Sequence, residues 1–182
     1  NSFNIIAMAI MTPSHGFDRI IKGLHQYYAD EKNIERPVYL HLVGDGAVLD
    51  DWEQLADSLN VRQYVIRHGL MHGRELDMLM DKCNVAAASL AIFRKKCDKA
   101  SELKIREYTA RGIPFFYSAH EPQIVNEKFC MKVPHDETPI DVEAIITFYS
   151  RLEKDSIAEQ MHQFAIKNFS CLGQLKKVIN SL

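Results

Sequence analysis

Short apolar runs alternate along the chain with stretches whose apolar positions recur at helical spacing. Residues 4–11 (NIIAMAIM), apolar from Ile5 onward, predict a buried strand. Across residues 17–32, Phe17, Ile20, Ile21, Leu24, Tyr27 and Tyr28 fall on one helical face. Residues 38–43 (VYLHLV) read as a second strand, ended by Gly44-Asp45-Gly46. A helix follows over 49–59, with Trp52, Leu55, Ala56 and Leu59 on one side. Residues 64–66 predict a short third strand, 75–83 a helix and 84–90 (NVAAASL) a fourth strand. Beyond an irregular basic loop, 91–100, comes a helix over 102–111. Gly112 stops it, residues 114–119 (PFFYSA) form a fifth strand, and 129–133 a sixth.

Repeated strand–helix units with short loops imply a parallel sheet covered on both faces. Strands buried on both faces read as continuous apolar runs, as these do. The fold class expected is α/β, a Rossmann-like doubly wound parallel sheet over about residues 4–140, with a helical C-terminal extension over 141–182. No repeat or low-complexity linker divides the chain. Ligands of open α/β sheets sit beyond the carboxyl ends of the strands. That selects the loops 12–16, 44–47, 67–73, 91–101 and 118–123.

Composition narrows the classes. The 182 residues are 47% hydrophobic and 25% charged, ordinary for a globular domain. A net charge of −2 argues against a nucleic-acid binder. No apolar stretch is long enough to span a membrane, and no signal peptide opens the chain. Both point to a cytoplasmic protein. The start inside an apolar strand points to a piece of a longer one. Cys83, Cys97, Cys130 and Cys171 are widely and irregularly spaced, which predicts reduced thiols and no zinc or redox pair.

The richest chemistry lies in residues 99–114, KASELKIREYTARGIP. Ser101 is a suitable N-cap for a helix beginning at Glu102. The first-turn amides of such a helix face the ligand end of the sheet and suit a phosphate. Lys104 adds a positive charge. Glu107, about a turn and a half in, suits a ribose diol, or is a solvated helix residue. The loop Arg94-Lys95-Lys96-Cys97-Asp98-Lys99 is either a funnel for phosphate or a solvated basic loop.

Ser101, Leu103, Lys104, Glu107, Tyr108, Ala110, Gly112 and Pro114 resemble the donor-site motif of retaining glycosyltransferases of the GT-B fold, family four. In outline the resemblance extends over about residues 4–120: Ser14-His15-Gly16-Phe17 matches the first loop, Gly44-Asp45-Gly46 the second turn, and His68-Gly69-Leu70 the third strand. It implies the donor-binding, C-terminal domain of such an enzyme. Glu107 would hold the donor ribose, the backbone at Ser101, Glu102 and Leu103 would cradle the diphosphate, and Gly69 and Leu70 would border the base. His15, Gly16, Arg19 and Lys104 would face the phosphates. The family's arginine and lysine in the first loop are replaced here by Met11-Thr12 and His15. The first Glu of its Glu-x7-Glu form is Lys99, beside the transferred sugar.

The implied donor is a nucleoside diphosphate sugar, with no cofactor and no metal. The acceptor would be held mainly by an absent N-terminal domain, which leaves room for membrane attachment through that half. Alternatives are an epimerase or phosphorylase of the same fold, a flavodoxin-like signalling domain, and a nucleotide-binding domain whose donor site has decayed. Gly44-x-Gly46 lacks the third glycine of a dinucleotide fingerprint, since Leu49 stands there. His15, His68, His72 and His120 show no metal-ligand spacing.

Overall fold

A computed structural model describes residues 2–124, 127–171, 173 and 179. Its sheet has six parallel strands in the order β3-β2-β1-β4-β5-β6. These are β1 (Phe3–Met8), β2 (Val38–Val43), β3 (Val65–Gly69), β4 (Val85–Ala87), β5 (Phe115–Tyr117) and β6 (Cys130–Lys132). The doubly wound α/β class expected from the sequence is what the chain adopts.

Alternate residues of each strand feed opposite faces, which sorts the core into two layers. On one face Ile5, Ala7, Leu40 and Leu42 pack beneath α1 (Asp18–Tyr28), α2 (Leu49–Ser58) and α5 (Val142–Ser150). On the other, Ile6, Val43, Ala86 and Phe115 meet α3 (Gly73–Met80), α4 (Leu103–Arg111) and α6 (Lys154–Phe169). Tyr108 of α4 is fully buried and satisfies its hydroxyl on the Ala87 carbonyl at 3.3 Å. The tail is helical through α5 and α6; the remaining C-terminal residues expected to be helical fall largely outside the described ones.

β1 pairs on one side with β2 and on the other with β4, so the winding direction reverses between β1 and β4. A crevice opens at the strand ends where such a reversal occurs. The loops after β1 and β4 flank it. The loop after β1 is braced by that after β2: Met11 N–H donates to Asp45 at 2.6 Å. Gly44, at φ +124°, makes this approach feasible, because a Cβ there would lie 1.9 Å from the Ala9 carbonyl oxygen. Three large apolar side chains at this end of the sheet are exposed: Ile10, Leu70 and Leu103.

Candidate functional site

Two loops are zipped together at the reversal point. Leu90 N–H donates to His15 at 2.8 Å and Ala91 N–H to Ser14 at 3.2 Å. Gly16 permits this contact: its φ is +67°, and a Cβ would lie 2.6 Å from the Ala91 Cβ. His15 is held in one orientation, its Nδ1 accepting from Thr12 N–H at 3.1 Å. In the neutral ring the proton therefore sits on Nε2, which remains a donor. Burial first, then the charge of Lys104, lowers the His15 pKa to about 4. At neutral pH His15 is a fixed dipolar donor without a charge.

Across the crevice, α4 begins one residue later than expected. Glu102, not Ser101, is the N-cap, and no side chain caps the first turn. The Ser101 hydroxyl instead accepts from Arg106 at 3.1 Å, and Leu103 is exposed. Uncapped first-turn amides with the positive end of a helix behind them attract an anion. Glu102 turns its carboxylate back to Ser89, accepting from its backbone N–H at 3.2 Å and its hydroxyl at 2.5 Å. Its own N–H donates to Glu121, a carboxylate only 4% exposed.

Lys104 rises beside this cluster. Its ammonium lies 5.6 Å from the centre of the Phe17 ring and 3.7 Å from Glu102, beyond hydrogen-bond reach. It is buried with no hydrogen-bond partner. Burial lowers its pKa from the ordinary value, and Glu102 only partly offsets this. Phe17, 5.7 Å from the His15 ring, is thus a shared floor for the two nitrogen groups.

The other sequence-predicted residues divide. Arg19, expected to face the phosphates, turns its donors into the protein. It is completely buried and donates to the carbonyls of Leu90, Pro134 (2.9 Å) and Thr138 (2.8 Å). Its charge is spent on those carbonyls and on Asp136 at 4.0 Å. Glu107 is 44% exposed and pairs with Arg111 at 3.3 Å. It lines a cleft of about 400 Å³ with His162 and Phe169 of α6, one turn along from Lys104. Gly69 ends β3 with open space around it, and Leu70 follows exposed. Lys99 is exposed and bridges to His120.

Sequence reasoning passed over Ser89 and Glu121. Glu121 stands in a loop singled out by topology, but nothing local marks it as the partner of the α4 start. It also passed over the pair His41 and His68, joined at 2.9 Å, with His41 held to Asn4 at 3.2 Å.

No protein-family model matches the sequence, and no curated protein does. Solved structures match its shape. The catalytic domain of the cholesterol-alpha-glucosyltransferase from Helicobacter pylori is 14% identical with a TM-score of 0.61, over 90% of this chain and 98% of that one. Anabaena HepE, solved in complex with UDP-glucose, is 19% identical with a TM-score of 0.67, over 100% of this chain and 50% of that one. A glycosyltransferase from Rickettsia africae is 18% identical with a TM-score of 0.69, over 99% of this chain and 47% of that one. The chain has the fold of a GT-B glycosyltransferase domain. It spans about half the length of the Anabaena and Rickettsia proteins. Identities this low establish a shared GT-B shape; chemistry has to be argued from the site.

Proposed function

We propose that this chain is the donor-binding domain of a glycosyltransferase that moves a sugar from a nucleoside diphosphate sugar to an acceptor, with retention, in polysaccharide or glycoconjugate synthesis. One observation carries the assignment. Lys104 keeps a buried ammonium without a hydrogen-bond partner, on the helix whose first turn is uncapped. A buried ammonium whose one ion pair, to Glu102, is too long for a hydrogen bond is costly, and a diphosphate would supply the missing acceptor. The similarly folded Anabaena protein was solved with UDP-glucose, which is consistent with this class of ligand.

In this assignment the α4 amides and Lys104 stabilise the charge that develops on the departing diphosphate, without a metal. His15 Nε2–H donates from the opposite wall. Glu107 takes the ribose diol by exchanging its pairing with Arg111, an exposed ion pair worth little. Gly69 and Leu70 border the base. The acceptor belongs mainly to a second domain, so the chain alone binds donor weakly and transfers nothing.

A second reading is a nucleotide-binding domain that has lost catalysis. It is favoured by Lys99, which stands where the family-four pattern has its first Glu. Titration with UDP, GDP, ADP and CMP by ligand-observed NMR tests both, with Glu107→Gln alongside. The expected result is that a diphosphate binds and that Glu107→Gln removes the saturation-transfer signal from the ribose protons. Absence of binding by every nucleotide would sink the donor-site assignment.

A further inference from the structure

We propose that the loop 94–99 is a fixed cationic rim that docks a phosphate ester carried by the acceptor, outside the donor site. This rests on the glycosyltransferase assignment. The loop is immobilised along its length. Arg94 donates to Pro13 at 2.7 Å and to both oxygens of Asp18 at 2.9 and 2.8 Å, and it also pairs with Glu137. Lys96 takes the left-handed conformation at φ +58°, its N–H bonded to Phe93 at 2.7 Å. The Cys97 carbonyl accepts from His135 at 3.2 Å. His120 N–H donates to Asp98 at 2.8 Å, and Ala100 N–H to His120 at 3.0 Å.

A solvated loop needs no such anchoring. Yet the lysines it presents are left without anions. Lys95, Lys96 and Lys99 are all exposed, and none has an ion-pair partner among the described residues. The loop's own acid, Asp98, lies 3.9 Å from His135. The chain as a whole carries −2, so these cations are a local excess. Arg94, the neighbour of Lys95, ties this loop to Pro13, two residues from His15, which places Lys95 beside the mouth of the crevice. The donor diphosphate is met inside by Lys104 and the α4 amides, leaving the rim for a different anion. Exposed ammonium groups act as point charges and suit a phosphate ester.

The test titrates the ¹⁵N-labelled 182-residue chain with glycerol 3-phosphate. It also sediments the chain with vesicles of phosphatidylcholine, alone or mixed with phosphatidylglycerol. The first arm reads a soluble phosphate ester, the second one held at a lipid surface. Amide shifts centred on residues 95–99, or sedimentation only with the anionic vesicles, are expected, whereas UDP should shift residues 15, 103 and 104. The double variant Lys95→Gln, Lys96→Gln should weaken the phosphate interaction by about twenty-five-fold, roughly fivefold per lysine, and leave UDP binding unchanged. UDP binding with no response to either phosphate source overturns the rim alone. So does a double variant that binds phosphate as well as the parent, or UDP shifts centred on 95–99. Phosphate binding at the rim without any UDP binding overturns the donor assignment, and the acceptor role with it.

Discussion

Replacing Lys104 with methionine separates a cation kept for a ligand from one kept for the fold. Methionine preserves most of the length and apolar body of the side chain, which is 15% exposed, and deletes the charge. The ammonium has no hydrogen bond to lose. Glu102 is not orphaned either, because Ser89 still provides its backbone N–H and hydroxyl. The fold should therefore tolerate Lys104→Met or gain on the order of 1 kcal/mol, as when buried charges give way to apolar groups. Nucleotide affinity should move the other way. A charge-assisted hydrogen bond contributes about 1.5–3 kcal/mol, so UDP binding should weaken by roughly tenfold to a hundredfold. Urea unfolding and calorimetric titration with UDP measure the two quantities. The pH dependence has a definite sign. The folded-state pKa of Lys104 is below the ordinary 10.5, so between those values the unfolded chain binds more protons. Stability from this group should climb as pH rises through that window, and the climb should be missing in Lys104→Met. A variant that loses more than about 1 kcal/mol while UDP affinity stays put would refute the anion-site reasoning.

Other perturbations probe the frame around the site. Arg19→Met strands the carbonyls of Leu90, Pro134 and Thr138 at about 1–3 kcal/mol each, so chemical denaturation should show a loss of about 3 kcal/mol or more. UDP affinity of the remaining folded protein should not change. Gly16→Ala combines left-handed backbone with a clash on Ala91; a loss of about 2 kcal/mol or more in urea unfolding is expected. His41 is pushed from 6.5 to about 4 by burial and then by His68. The folded ring resists protonation, so stability is intact above 6.5 and declines as pH falls towards 4. His41→Gln should flatten that decline in urea midpoints measured across the same range.

The order of elements and the loops at the carboxyl ends of the strands were legible because most strands carry a run of apolar residues bounded by glycine or polar turns. Their lengths were less so. Residues 4–11 read as one strand, yet β1 ends at Met8, because the Met11 N–H is drawn to Asp45 in the neighbouring loop. The start of α4 moved from Glu102 to Leu103 because Ala100 and Lys99 are tied to His120, a partner that no local pattern reveals. Arg19 misled for the same reason. It sits at the head of an amphipathic helix beside the loop after β1, but its acceptors are 71, 115 and 119 residues away in sequence. Lys104 was legible as a charge; its lack of a hydrogen bond became visible only once Phe17 and Glu102 had been brought beside it.

The guanidinium of Arg19 constrains how this domain can be rebuilt. It remains protonated at any pH the protein survives, and what it requires of residues 134–138 is a backbone path that presents two carbonyls, together with the Asp136 carboxylate. A graft that exchanges this segment for one of equal course that keeps Asp136 and Glu137 should be accepted. An insertion or deletion there, however conservative in composition, would leave a permanent buried cation with only the Leu90 carbonyl of its three backbone acceptors and should prevent the chimera from folding.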